Sequence, residues 1–152
     1  MTDEQREWHL KFAKTLFNST WDLLDKPDRT KDEDLHMIRM AQASRYHWGE
    51  VGEPLQFARG DWQIARVYAV LGFGVMAYKY AKSCLDLCEQ HDLGNFDLAF
   101  AYEALARASA VSGDLDKGRG FITLGQAAAV EIEDEEMRAY VLDELDKVEE
   151  RL

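Results

Sequence analysis

The side chains most able to carry chemistry in this sequence are its histidines, its cysteines and the acids near them. Glu33 and His36 have the i,i+3 spacing found in helix bundles that hold carboxylate-bridged metal pairs. Such a centre needs a second motif of this kind and two further glutamates, and none is visible. Cys84 and Cys88, four residues apart, cannot by themselves complete a four-ligand zinc site. We therefore expect neither a metal nor a cofactor.

A second candidate is the short segment Ser44-x-x-His47-Trp48. The three side chains fall on one side of a predicted helix, where His47 could bond a ligand or titrate near neutral pH. The alternative, which we favour, is a core histidine with satisfied hydrogen bonds beside a packing tryptophan. No Gly-x-Ser-x-Gly motif, phosphate-cradling glycine loop or dinucleotide fingerprint occurs, so the sequence assigns no catalytic residue.

A third candidate is the alanine-rich helix that carries Asp97, Tyr102 and Glu103. Together with polar residues of two earlier helices it could close a small pocket, which would be either an internal network or a ligand site. The candidate pocket residues are Ser44, His47, Trp48, Asp97 and Tyr102. A small-molecule sensor or enzyme built on His47, Arg66, Tyr102 and Glu103 is the alternative function.

Composition limits the class of protein. The chain has 152 residues, 47% of them hydrophobic, which is typical of one globular domain. A net charge of −11 argues against a nucleic-acid surface. No apolar run is long enough for a bilayer, no signal-peptide pattern opens the chain, and two cysteines make no disulfide framework. We therefore expect a cytoplasmic protein that contacts neither membrane nor nucleic acid.

The negative charge is concentrated at the end of the chain. Residues 131–152 contain ten Asp or Glu against three Lys or Arg. We interpret this stretch as a solvated helix face, with a docking surface for a basic partner as the alternative.

The elements that must position these residues are seven helices, since apolar residues recur at helical spacing and nothing alternates as a strand does. The predicted spans are about 4–24, 30–48, 54–71, 75–90, 95–113, a sixth from 114, and 134–150. The first helix should bury Trp8, Phe12, Leu16 and Leu23. Predicted caps and breaks are capping boxes at Thr2 and Thr30, caps at Asn95 and Asp114, and glycine stops at Gly72 and Gly113.

An internal repeat organises the helices. At an offset of 41 residues, Ala58, Ala65, Arg66, Ala69, Val70 and Gly72 meet the identical Ala99, Ala106, Arg107, Ala110, Val111 and Gly113. A period in this range indicates one supersecondary unit used more than once. The connections are short, so consecutive helices should be antiparallel, which predicts an all-α stack of helical hairpins.

The repeated unit resembles the tetratricopeptide repeat family. The resemblance rests on Ile64-Ala65-x-x-Tyr68-x-x-x-Gly72 with Ala77, Ala81 and Cys84, and on Tyr102-x-x-Leu105-Ala106-x-x-Ser109-x-x-x-Gly113 with Gly118, Ile122 and Gly125. The period is 41 rather than the family's usual 34, and Ser109 stands at the second tyrosine position. The domain 1–152 would then comprise a divergent hairpin (1–53), two repeats (54–131) and an acidic capping helix (132–152).

The resemblance implies a concave groove, lined by the first helix of each pair, that binds a partner peptide without catalysis. Carried over by position, the groove residues are Arg59, Trp62, Arg66, Phe100, Glu103 and Arg107. Arg66 and Arg107 could form a cationic strip suited to an acidic partner. The alternative is that Glu103 neutralises them. If the strip is open, reversing both arginine charges should abolish partner capture without unfolding the protein.

One further expectation concerns self-association. Apolar surface left exposed on the divergent first hairpin would make a homodimer possible.

Overall fold

The computed structural model describes residues 1–152 and contains seven helices and no strand. Consecutive helices pack as antiparallel hairpins, which confirms the predicted fold class. The helices are α1 (Asp3–Leu24), α2 (Lys31–Val51), α3 (Pro54–Val70), α4 (Gly74–His91), α5 (Asn95–Val111), α6 (Leu115–Ala129) and α7 (Glu135–Glu149). None of them combines the length and the apolar run that crossing a bilayer requires.

Local signals account for most helix boundaries. The capping boxes predicted at Thr2 and Thr30 are both formed. The cap predicted at Asn95 is wrong, whereas Asp114 stands at the predicted N-cap position of α6 but its side chain bonds to no N–H of the helix. Asn95 is the first residue of α5, with Gly94 before it, and Asp114 has ψ near 74° rather than the extended backbone from which a capping oxygen reaches the helix.

The two glycines predicted to stop helices do so by the same geometry. Gly72 and Gly113 have φ of 84° and 77°, the left-handed region that side chains disfavour. In both places the next residue's N–H bonds back to the carbonyl five residues earlier, at Tyr68 and Ser109. The 41-residue repeat is therefore visible in the backbone of the turns as well as in the sequence.

The packing of alternate helices gives the stack its curvature. The backbones of the odd-numbered helices approach one another along the chain, α1 with α3, α3 with α5 and α5 with α7. The backbones of the even-numbered helices α2, α4 and α6 lie farther apart, and these helices meet through side chains such as Gln42 with Tyr80 and Tyr78 with Phe121. When successive helices are closer together on one side of a stack than on the other, the stack curves toward the side with the closer spacing. The odd-numbered helices therefore line the concave face.

Small residues make the close approach between layers possible. Ala99, Ala101 and Ala106 of α5 are completely buried. A Cβ atom on Gly125 of α6 would lie 2.8 Å from a methyl group of Leu145 in α7, closer than side-chain atoms normally approach. The backbone of α6 therefore lies against α7, and Val141, Leu145 and Val148 of α7 are completely buried beneath it.

The buried stripe predicted for α1 is only partly correct. Trp8 and Phe12 remain 49% and 40% exposed, and they stack on each other with ring centroids 5.6 Å apart. The residues that α1 does bury completely are Ala13 and Thr20. Trp8 and Phe12 remain exposed because α1 is the first helix of the stack and only its second half reaches α3.

Candidate functional site

Two stripes of side chains face each other across the beginning of the concave surface. Helix α1 contributes Lys14, Phe17, Asn18 and Trp21, and helix α3 contributes Gln56, Arg59, Trp62 and Arg66. Successive members of each stripe are one, three or four residues apart, which keeps them on one side of a helix. The two helices meet where the amide of Gln63 donates a hydrogen bond of 2.9 Å to the carbonyl of Phe17.

The most apolar feature of this surface is a pocket of about 270 Å³, which we call the aromatic pocket. Eight of its ten lining residues are hydrophobic, and six of those carry aromatic rings: Phe17, Trp21, Trp62, Phe96, Phe100 and Tyr140. These rings come from all four helices of the concave layer, α1, α3, α5 and α7. The pocket therefore exists only when the whole stack is assembled.

The rings support one another as a continuous wall. Ring centroids lie 5.5 Å apart for Trp21 and Trp62, 5.6 Å for Trp62 and Phe100, and 5.7 Å for Phe100 and Tyr140. These separations fall in the range of favourable offset and edge-to-face aromatic contacts. A wall of this kind presents apolar surface of fixed shape, which suits a large aliphatic or aromatic group.

An ion pair forms the polar edge of the aromatic pocket. Arg59 donates from Nε and Nη2 to the two carboxylate oxygens of Asp97, at 2.9 and 3.2 Å. The Arg59 side chain is 50% exposed, whereas that of Asp97 is nearly covered. Hydrogen bonding to Asp97 raises the pKa of Arg59 above its usual value. Asp97 is thus a positioning group for a guanidinium that faces solvent.

Behind the pocket, the carboxylate of Glu103 is completely buried and bonds to three side chains. Arg107 donates to it from Nη2 and Nε at 2.6 and 2.9 Å, and Arg66 donates from Nη2 at 3.3 Å. The indole N–H of Trp62 lies 3.4 Å from its second oxygen. This Glu103 network joins α3 to α5 and fixes the ring of Trp62 from behind.

The carboxylate of Glu103 therefore neutralises the charges of Arg66 and Arg107, which is the alternative that the sequence left open. Arg107 is almost fully buried, and Arg66 lies over the ring of Trp62 at 5.1 Å and within 3.8 Å of Glu144. Desolvation lowers the pKa of Arg66, which Glu103 partly offsets. No open cationic strip forms. Reversing the charge of Arg107 would place a carboxylate against buried Glu103, so it would disrupt folding rather than test binding.

The groove residues expected from the sequence therefore do not all lie at the surface. Arg59, Trp62 and Phe100 line the aromatic pocket, whereas Glu103 and Arg107 lie beneath the surface. Sequence reasoning missed Phe17, Trp21, Phe96 and Tyr140. A signal existed for the first two, because they share a stripe at i,i+4 on the side of α1 next to the residues assigned to its core.

The five residues expected to form a closed polar pocket are not brought together. Ser44 is buried and donates its hydroxyl to the carbonyl of Ala13, at 2.7 Å. Tyr102 stacks on Phe121 in α6. Trp48 lies beside Arg59, and Asp97 is held by that same arginine. His47 and Tyr102 therefore belong to different helix–helix contacts, the first with α1 and the second with α6.

His47 forms its main polar contact with another histidine. Its Nδ1 atom lies 2.9 Å from Nδ1 of His9, so one ring donates and the other must accept. Burial and the neighbouring His9 lower the pKa of His47, and Glu50 opposes this. The folded state thus binds fewer protons than the unfolded chain near the usual histidine pKa of about 6.5.

We expect this histidine pair to make stability depend on pH. The stabilisation is present above about pH 6.5 and is lost as the pH falls through the lowered pKa of His47. Thermal unfolding between pH 7.5 and 5 should show a steeper loss of Tm for the wild type than for His47→Gln. The exposed His36 gives the control His36→Gln, which should follow the wild type. Parallel curves for all three proteins would contradict the assignment.

The residues weighed as metal ligands have other roles. Hydrogen bonds from Lys26 and the Thr30 backbone lower the pKa of Glu33 to about 2, and Glu33 completes the capping box of α2. Cys84 and Cys88 are buried reduced thiols, and contact with Cys88 together with burial raises the pKa of Cys84. No three His, Cys, Asp or Glu side chains group in a way that could hold a metal ion.

Comparison with known proteins adds no family to this description. No protein-family model, curated protein or solved structure matches the chain. The chain is an all-helical, seven-helix stack with sequential packing, and its candidate site is the aromatic pocket on the concave face.

Proposed function

We propose that this protein is a non-catalytic interaction module whose concave face binds a segment of a partner protein. The observation that carries the proposal is the aromatic pocket, which six rings from the four inner helices build and which opens on the concave surface. A large apolar side chain of the partner would fill it. Buried anchors of this kind dominate the binding energy of most protein interfaces.

The size and lining of the pocket favour a single side chain over a metabolite. Its volume of about 270 Å³ is near the lower end of the range of small-molecule sites, roughly 300–1,000 Å³. Its only charged lining residues, Arg59 and Asp97, already bond to each other. The alternative of a sensor or enzyme depended on His47, Arg66, Tyr102 and Glu103. Arg66 and Glu103 bond to each other behind the pocket, whereas His47 contacts His9 and Tyr102 contacts Phe121 in other parts of the stack.

The resemblance to the tetratricopeptide repeat family supports the same function. In that family the first helix of each pair lines a groove for partner peptides, and here α1, α3 and α5, with α7 after them, line the concave face. The stacked rings of Trp8 and Phe12, exposed on α1, are where a homodimer would form if the protein also self-associates.

Substitution of Tyr140 tests the proposal without disturbing the core. Tyr140 lines the aromatic pocket and is 56% exposed, so Tyr140→Ala should leave the fold intact. We expect it to weaken partner binding by about 2 kcal/mol, roughly 30-fold, as interface anchors do. Affinity capture from extracts of the native cell, with quantitative mass spectrometry, would measure the loss.

Tyr46 gives a matched control for this experiment. It is 61% exposed, lies on α2 and lines no part of the pocket. A partner retained by the wild type and Tyr46→Ala but lost from Tyr140→Ala supports the proposal. Equal capture by all three proteins, or loss from both variants alike, contradicts it.

A further inference from the structure

A second pocket adjoins the aromatic pocket on the concave face. It has a volume of about 300 Å³ and is lined by Lys14, Phe17, Asn18, Trp48, Gln56 and Arg59. We call it the donor pocket. Phe17 and Arg59 line both pockets, so the two share a wall.

The donor pocket is lined by hydrogen-bond donors that have no protein partner. Lys14 forms no ion pair with any carboxylate within 4.0 Å. Arg59 uses Nε and Nη2 for Asp97, which leaves Nη1. Gln56 accepts the N–H of Glu53 with its carbonyl oxygen, which leaves its amide N–H groups. No acidic residue lines the pocket.

Such a set of groups is matched by an acceptor that carries negative charge. An ammonium and a guanidinium, with an amide donor beside them, are the groups that recognise carboxylates in proteins. The pocket is lined by two cationic side chains and no acidic one, and of the two only Arg59 has a counter-ion, Asp97. Charge complementarity therefore selects an acidic group at this place.

From this placement we infer that the donor pocket binds the side-chain carboxylate of a partner's Asp or Glu, next to the apolar residue that fills the aromatic pocket. The inference rests on the proposed function and specifies the partner segment. The acidic partner expected from the sequence is thereby proposed again on different residues, Lys14 and Arg59 in place of Arg66 and Arg107.

The shared wall limits how far apart the two partner residues lie. Side chains on one face of an extended segment are two residues apart, and those on one face of a helix are three or four apart. The recognised segment therefore carries a large apolar residue and an acid within four positions. A single carboxylate suits the site better than a phosphate dianion, because Arg59 already shares its charge with Asp97.

Selection from a displayed library of random peptides tests this inference. Wild-type protein should enrich peptides that carry a large apolar residue with Asp or Glu at a fixed offset. Lys14→Glu should bind the enriched peptide at least about tenfold more weakly, since hydrogen bonds to charged groups contribute on this scale. Lys11→Glu is the matched control, because Lys11 is also exposed on α1 but lies over Trp8 outside both pockets.

A charge-neutral peptide completes the test. Changing the peptide's acid to its amide should weaken binding to the wild type and strengthen binding to Lys14→Glu, because in the variant it removes the repulsion between two carboxylates. Effects of opposite sign show that the two groups interact. Enriched peptides that are apolar without an acid, and that lose binding with Tyr140→Ala, overturn the donor pocket but retain the proposed function. Failure to enrich any peptide whose binding depends on Tyr140 overturns both.

Discussion

Replacing Glu103 with glutamine should lower the free energy of unfolding by about 3–5 kcal/mol, the usual cost of removing one partner from a buried ion pair. Glu103 is completely buried and is the carboxylate that both Arg107 and Arg66 contact. Glutamine keeps the shape of the side chain but leaves the Arg107 charge without a counter-ion. Urea denaturation followed by circular dichroism measures the change.

Two further variants show whether the loss comes from the uncompensated charge. Glu136→Gln, on the exposed side of α7, should change stability by less than about 0.5 kcal/mol. Replacing Glu103 and Arg107 together with leucine should recover part of the loss, because apolar residues often substitute for a buried ion pair without large cost. A Glu103→Gln variant as stable as the wild type would show that the network contributes nothing to the fold.

Trp62→Ala should have the second largest effect on stability, about 3 kcal/mol, near the lower end for removal of a packed aromatic side chain. The ring of Trp62 contacts Trp21 and Phe100 in the pocket wall and carries the guanidinium of Arg66 on its face. Removing this ring therefore both widens the aromatic pocket and exposes the Glu103 network behind it. Trp62→Phe keeps a ring in the wall but loses the long N–H contact to Glu103 and part of the packed ring area, so it should cost about 1 kcal/mol.

Trp8 provides the comparison for this measurement. It also lies on a helix of the concave layer, but it is 49% exposed, its ring stacks on Phe12, and Lys11 lies over its face. Trp8→Ala should leave the urea midpoint almost unchanged. If Trp62→Ala were no more destabilising than Trp8→Ala, the pocket wall would not be part of the folded core.

The fold was predictable because its signals are local. Thr2 and Thr30 are followed three residues later by Gln5 and Glu33, and such pairs define a helix start by themselves. Gly72 recurs as Gly113, and both turn the chain with positive φ. Short connections then make each helix pack on the next. The cap predicted for α5 falls one residue late, at Asn95 instead of Gly94, and Asp114 of α6 has the predicted position but a backbone angle that its residue type does not determine.

The candidate site was less predictable because it depends on curvature. Helical spacing places Arg59 and Trp62 on one stripe, but it does not tell which rings of other helices arrive opposite them. Tyr140 belongs to a helix whose sequence indicates a solvated cap, yet α7 packs on α5 and brings that ring to Phe100. Only the relative placement of four helices makes a pocket from these rings.

The charged residues show the same limit. The i,i+4 spacing of Glu103 and Arg107 indicates an ion pair, and the structure contains it. The i,i+4 spacing does not predict burial, however. Because Glu103 is completely buried, the Arg107 that pairs with it has a structural role and is not available to bind a partner. Lys14 and Gln56, which lie on different helices, have no feature in the sequence that joins them.

The most direct test of the concave binding site is photo-cross-linking from its edge. Tyr140 and Tyr46 can each be replaced by p-benzoylphenylalanine, which keeps an aromatic ring at both positions, and the two proteins irradiated in the native cell. The binding account predicts a cross-linked partner protein from position 140 and none from position 46. Equal cross-linking from both positions, or a product from position 46 alone, would contradict it.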